Sequence, residues 1–202
     1  MTTTTPNVKI AIDAILAALG DPQGDWQWQV YKEFREGDAD SARKTAASNL
    51  GDNFCKSLGF LVSAKIPTPN LPNILSAAAI AAADHVEQRT LVKLGDNFAD
   101  DFNSENPDSE GIKSVLKFLS PASDLHKMAL ELFQASDYDG VKKLAASNLD
   151  DNLFKALSYL SSATKPSPAL PTILAEAARE AAKHVRAQIV RSLSTSISAA
   201  LN

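Results

Sequence analysis

The chain has 202 residues, of which 45% are hydrophobic and 22% charged, a balance typical of globular proteins with a packed core. Its net charge of −4 and its scattered lysines and arginines disfavour a nucleic-acid-binding protein, which would carry a basic patch. The single cysteine, Cys55, excludes an internal disulfide, and we expect it to be a small buried residue.

The N-terminal segment "MTTTTPNVKI" lacks a basic start followed by a long apolar run, which disfavours a secretory signal peptide. No stretch approaches the roughly 20 apolar residues that a transmembrane helix needs. These features predict a soluble protein of a reducing compartment.

The first two predicted elements in chain order are helices. "VKIAIDAILAAL", from Val8, has a wide apolar face, which is typical of a short helix packed on a core. "DWQWQVYKEFREG" is predicted to begin at a capping Asp25 and to end at Gly37.

A third helix is predicted over residues 38–64, after which "KIPTPNLPN" indicates an extended connector, because each proline pushes the preceding residue out of the α region. A fourth helix is predicted to open at Pro72, a favourable first-turn residue. On the third helix one apolar stripe is expected to be buried: Leu50, Phe54, Leu58 and Leu61.

The second half of the chain repeats these elements. Residues 44–91 align with residues 143–190 at a fixed offset of 99 without a gap, and 25 of the 48 positions are identical. The stripe then recurs as Leu149, Leu153, Leu157 and Leu160. The sequence therefore predicts an all-α fold of two tandem copies, residues 1–103 and 104–202, each of roughly four helices and packed with pseudo-two-fold symmetry.

The last helix of each copy carries a retained histidine at the end of a stripe of small residues. The stripes are Ile74, Ala78, Ala82 and His85 in the first copy, and Ile173, Ala177, Ala181 and His184 in the second. Neighbouring charges change sign, from Asp84 to Lys183 and from Glu87 to Arg186. Each histidine is interpreted either as a hydrogen-bonded core residue or as a ligand for a metal, with a flat molecule over the alanines.

Other polar positions are also retained or stand out. Asn49 and Asn53 match Asn148 and Asn152, and we interpret these amides either as satisfying helix ends or as bonding to a ligand carbonyl. Asp52 and Asp151 are predicted to lie on the surface without a partner base. The third histidine, His126, aligns near Gln27 and is also predicted to lie on the surface.

Signatures of catalysis are missing from the sequence. No G-x-S-x-G, Walker A, G-x-G-x-x-G or H-E-x-x-H motif occurs. Three scattered histidines and one cysteine do not have zinc-site spacing. We therefore predict that the chain is not an enzyme.

The layout resembles the peridinin–chlorophyll protein family of soluble light-harvesting proteins. The residues that carry the resemblance are "ILSAAAIAAADHVEQ", "ILAEAAREAAKHVRA" and "GDADSARKTA" within a duplicated, alanine-rich, all-helical chain. The family's histidine segment has two adjacent histidines, where this chain has Asp84-His85 and Lys183-His184.

The resemblance implies a pigment-binding protein of a plastid or the cytoplasm, with one chlorophyll per copy and carotenoids between the helices. His85 and His184 would hold the chlorophyll magnesium, directly or through water. The apolar pigment would lie over Ala78 and Ala82 or over Ala177 and Ala181, with Asn53 and Asn152 also in the binding site.

Two other functions stay open. The chain could be a helical-repeat interaction module without a cofactor, in which the alanines pack helices together and the histidines belong to the core; such a module could also form a homo-oligomer. It could instead carry a small apolar ligand, such as a lipid or terpenoid, without metal coordination.

Overall fold

A computed structural model of the protein describes residues 6–102 and 106–202, which form ten α-helices and no strand. This confirms the all-α class. The predicted boundary between the copies, at residues 103 and 104, lies outside the described residues. The helices are α1 (Pro6–Leu19), α2 (Asp25–Glu36), α3 (Ala39–Ser48), α4 (Asn53–Ala64), α5 (Leu71–Asp101), α6 (Pro107–Leu116), α7 (Asp124–Gln134), α8 (Tyr138–Ala146), α9 (Asn152–Ala163) and α10 (Leu170–Leu201).

The helix starts reproduce the repeat of the sequence. Helices α2 to α5 begin at residues 25, 39, 53 and 71, and α7 to α10 begin at residues 124, 138, 152 and 170. Each start therefore recurs 99 residues later. The pseudo-two-fold packing of the two copies stays a prediction.

The segment predicted as the third helix is two helices in both copies, so the described residues of each copy form five helices rather than roughly four. Asp52 accepts a hydrogen bond from the Cys55 amide at 2.9 Å and caps α4. Asn49 follows α3, and its Nδ2 donates to the Thr45 carbonyl at 2.8 Å. An aspartate that satisfies the free amides of a helix start ends one helix and begins another.

This break makes part of the predicted leucine stripe wrong. Leu50 is 62% exposed and Leu149 is 67% exposed, because both lie in the linker between two helices and not within one. The remaining members of the stripe are fully buried as predicted: Phe54, Leu58, Leu61, Leu153, Leu157 and Leu160.

The caps of α2 also differ in part from the prediction. Its N-cap is Gly24, without a side-chain hydrogen bond, and Asp25 is already helical. The helix does end at Gly37, whose φ of 82° is the left-handed conformation in which glycine avoids the steric cost of a Cβ.

The first of two compact units contains the described residues up to Val86 together with Ile189–Asn202. Its core is formed by α1 to α4 and the start of α5, with Leu193, Ile197 and Ala200 from the end of α10. Cys55 lies in this core as predicted, and burial raises the pKa of its thiol to about 12.

The second unit contains residues 87–188. Its core joins α6 to α9 and the start of α10 to Leu94 and Phe98 from the end of α5. Each unit therefore combines helices of one copy with the end of the other copy's long helix. The predicted domains, residues 1–103 and 104–202, follow the sequence copies and stay a prediction.

Among the described residues, none of the helices contains an apolar stretch that would span a lipid bilayer.

Candidate functional site

Both retained histidines are buried. In the first unit, His85 is 5% exposed and its ring centroid lies 5.3 Å from that of Phe54. In the second unit, His184 is also 5% exposed, and its Nε2 lies 2.8 Å from the Ser120 carbonyl oxygen, which also accepts a hydrogen bond from Gln188 Nε2 at 2.8 Å. Protein atoms surround both rings.

The four alanines before the histidines are covered completely by protein: Ala78, Ala82, Ala177 and Ala181. In the first unit, Ser57 Oγ donates to the Ala78 carbonyl at 2.9 Å, which brings α4 directly against α5. Small side chains permit such a close approach. A flat ring over Ala78 would require the two helices to separate.

The sign changes beside the histidines have local partners in the second unit. Arg186 Nε lies 3.3 Å from Glu87 Oε2, so the two positions that differ in sign between the copies form an ion pair. Lys183 Nζ donates to Glu180 Oε1 at 2.7 Å. Each of these two cations therefore has an oppositely charged partner in the second unit.

The prediction that His126 lies at the surface is wrong, because the residue is only 6% exposed. Its Nδ1 accepts a hydrogen bond from the Ala122 amide at 3.1 Å, which places the proton of the neutral ring on Nε2. That Nε2 donates to Asp151 Oδ2 at 2.7 Å. The sequence predicted that Asp151 lacks a partner base, and this prediction is wrong because His126 is its partner.

Gln27 makes the same two hydrogen bonds in the first unit. Its Oε1 accepts from the Gln23 amide at 2.8 Å, and its Nε2 donates to Asp52 Oδ2 at 2.9 Å. Gln27 and His126 stand 99 residues apart, as do Asp52 and Asp151. An amide and an imidazole thus fill the same structural position, where each holds the aspartate that caps the next helix.

The retained asparagines fall into two groups. Asn49 Nδ2 and Asn148 Nδ2 donate to the carbonyls of Thr45 and Leu144, so both amides satisfy helix ends. Asn53 and Asn152 are the half-buried first residues of α4 and α9. Their role toward a ligand carbonyl stays a prediction.

An open groove lies between α3 and α4 in the first unit, with a volume of about 400 Å³. Two exposed apolar side chains mark it, Leu50 and Phe60, which is 40% exposed. We call this the α3–α4 groove; its lining is Arg43, Ala46, Ala47, Leu50, Lys56, Gly59, Phe60 and Ser63. Its floor is built from small residues because α3 and α4 approach closely, so that a Cβ on Gly59 would lie 3.2 Å from the Ala46 Cβ.

The second unit repeats this surface position by position between α8 and α9. Each of its residues is buried, half-buried or exposed in the same way as its equivalent in the first unit. We call this surface the α8–α9 face; its residues are Lys142, Ala145, Ala146, Leu149, Lys155, Ser158, Tyr159 and Ser162. Leu149 is 67% exposed and Tyr159 is 38% exposed, close to the values of Leu50 and Phe60.

The charge of both surfaces is positive. Arg43 and Lys56 in the α3–α4 groove correspond to Lys142 and Lys155 on the α8–α9 face, and all four are half-buried. Of the residues that the structure describes, none of the eight that line the groove and none of their eight equivalents is acidic.

Sequence reasoning missed this surface because it assumed one continuous helix through residues 38–64. A signal was present in the blocks "AASNLGDN" and "AASNLDDN", in which an aspartate that can cap a helix directly precedes an apolar run. A cap there rotates the preceding leucine out of the helical stripe and into solvent.

Comparison of the chain with protein-family models, curated proteins and solved structures gives no match. In the described part of the chain, no three histidine, cysteine, aspartate or glutamate side chains stand close enough together to hold a metal ion.

Proposed function

We propose that the protein is a non-catalytic helical-repeat module that binds a peptide segment of a partner protein on the α3–α4 groove and on the α8–α9 face. The observation that carries this proposal is a leucine kept at the same exposed position in both copies, Leu50 and Leu149.

The residues around Leu50 have structural reasons to be retained, but Leu50 has none in the fold. Asp52 caps α4 and Asn49 satisfies the end of α3. A side chain that is 62% exposed adds little to the core, so a polar residue would serve the fold equally well. Leu50 lies in one lining with the exposed Phe60, and apolar side chains grouped on a surface in this way are typical of an interaction site.

The shape of the groove fits the recognition of a short segment. Two exposed anchors, Leu50 and Phe60, stand beside a floor of small residues that leaves room for a partner's large side chains. A volume of about 400 Å³ lies within the range of natural binding pockets. This arrangement resembles the grooves into which an amphipathic helix lays its apolar face.

The chemistry of the groove favours binding over catalysis. Its polar groups are the cations Arg43 and Lys56 and the hydroxyl of Ser63, without a general base beside that hydroxyl among the described lining residues. The buried His126–Asp151 pair is a tether that an amide replaces in the other unit.

Selection of a displayed peptide library on the full chain tests the proposal. We expect enriched peptides to bind the parent protein and to lose at least about tenfold in affinity on the double variant Leu50→Ser and Leu149→Ser, the loss expected for buried apolar anchors. Val92→Ser is the matched control, because Val92 is 63% exposed, lies on α5 and belongs to neither surface. Absence of any enriched peptide, or equal binding by the double variant, overturns the proposal.

Pigment binding remains a second proposal. The observation that favours it is the retention of a buried imidazole at both His85 and His184, since a neutral imidazole is a good nitrogen ligand. The covered alanines limit the space for a flat ring, so this function would require the helices over Ala78 to open.

A further inference from the structure

We infer that the segment bound in the α3–α4 groove and on the α8–α9 face is an acidic amphipathic helix. This inference rests on the proposed function and names the chemistry of the partner.

Charge is the first argument. The chain has a net charge of −4, yet each of the two surfaces has two cations and, among its described residues, no acid. Arg43 Nη1 lies 3.9 Å from Oδ1 of Asp40, a residue outside the lining whose side chain is 88% exposed. A positive surface on a negative protein attracts an oppositely charged segment and disfavours a basic one.

Retention of the sign is the second argument. Position 43 changed from arginine to Lys142 in the second copy, and Lys56 remained lysine at position 155, so both positions kept a positive charge. Elsewhere the copies exchanged signs freely, as at Glu87 and Arg186. The two copies thus share the positive charge, and not the residue, at position 43.

The positions of the cations and apolar side chains in the groove indicate which sequence pattern a partner helix would need. Arg43 lies on α3 and Lys56 on α4, and the apolar anchors Leu50 and Phe60 belong to the same lining. If the apolar residues of a partner helix recur every three or four positions, they form one stripe along it. The side chains of that stripe would pack between Leu50 and Phe60. Acidic residues beside that apolar stripe would then face the two cations.

Two synthetic peptides test this partner chemistry against the full chain. Both have about 16 residues with leucines at positions i, i+4, i+7 and i+11; one carries glutamates on the flanking positions and the other carries lysines there. We expect isothermal titration to show the acidic peptide binding about tenfold or more tightly than the basic one, with two sites per chain. The preference should weaken at high salt because surface charges are screened.

Charge reversal supplies the matching variant. Lys56→Glu together with Lys155→Glu should weaken the acidic peptide by about three- to tenfold and strengthen the basic one, which a purely structural role for these lysines would not do. Circular dichroism checks that the variant folds, and Lys56→Gln with Lys155→Gln replaces it if the reversal disturbs the caps of α4 and α9.

The outcomes separate this inference from the proposed function. If both peptides bind equally and both lose affinity in the Leu50→Ser and Leu149→Ser variant, the docking surface stands and the acidic partner is wrong. If the acidic peptide binds the leucine variant as well as the parent, the docking surface is wrong. A further outcome is that sedimentation shows the parent protein to be a homo-oligomer and the leucine variant a monomer. In that case the occupant is a second copy of this chain, which also overturns the acidic partner.

Discussion

At the scale of single residues, the Asp151 carboxylate makes three hydrogen bonds that serve two functions. Its Oδ1 accepts from the amides of Leu153 and Phe154 and caps α9, while its Oδ2 accepts from His126. Burial alone would raise the pKa of Asp151, but the hydrogen bond from His126 and those from the two amides outweigh it and hold the pKa below its ordinary value.

Replacing Asp151 with alanine should destabilise the protein by about 1–3 kcal/mol, because a helix cap is lost and the buried Nε2 of His126 loses its acceptor. Urea denaturation measures the change. The matched control is the exposed neighbour Asp150→Ala, which should alter the free energy of unfolding by less than about 0.5 kcal/mol. Equal effects of the two changes would contradict the tether.

The contribution of Asp151 has a defined pH dependence that belongs to the same experiment. A carboxyl whose folded-state pKa is lowered binds fewer protons in the folded than in the unfolded state. Its stabilisation is therefore complete above the unfolded pKa of about 4 and is lost as the pH falls through the lower folded value. The stability difference between the parent and Asp151→Ala should shrink as the pH drops below about 4.

At the scale of elements, the break between α3 and α4 divides the predicted leucine stripe, so that one member lies in solvent and the others in the core. Leu58 and Leu50 are eight residues apart in a sequence that has helical spacing throughout. Leu58 is fully buried and Leu50 is 62% exposed. The Asp52 carboxylate between them caps a new helix, so Leu50 lies in the linker and not on the helix that carries Leu58.

Leu58→Ala should cost about 2–5 kcal/mol, the range for a core leucine, because it leaves a cavity in the first unit. The matched change Leu50→Ala should cost less than about 0.5 kcal/mol, since that side chain is mostly in water. Chemical denaturation of the two variants provides the comparison. A large cost at position 50 would show that this leucine belongs to the core and that the docking surface does not exist.

At the scale of the whole molecule, each long helix contributes to two cores. Residues 71–86 of α5 belong to the first unit and residues 87–101 to the second, and α10 divides in the same way at residues 188 and 189. His85 and His184 lie just before these divisions, at positions where the helix passes from one unit to the other. Their retention is consistent with a packing role in each unit.

The pigment proposal makes a prediction at this scale. If it is correct, the full chain purified from its natural source will absorb red light as a chlorophyll protein, and His85→Leu with His184→Leu will lose that band on reconstitution, because leucine keeps the bulk and removes the nitrogen. A colourless parent that does not bind chlorophyll on reconstitution would exclude this function and leave the interaction module.

The helical class, the duplication and most of the core could be predicted from the amino-acid sequence. The gapless offset of 99 also predicted equivalent proline connectors, and the structure makes them alike: the Leu71 and Leu170 amides bond to the Thr68 and Ser167 carbonyls. These features follow from local periodicity and composition, which a single sequence displays directly.

The tertiary structure alone decided which polar and apolar residues are buried. His126 is a core residue because its two ring nitrogens meet an amide and a carboxylate, and Asp151 is distant from it in sequence. Leu50 is a surface residue because Asp52 caps α4 and leaves the leucine in the linker before that helix. Asp151 caps α9 in the same way and leaves Leu149 exposed. Periodicity reports which side of a helix a residue occupies, but only the packing of several helices shows whether that side meets protein or water.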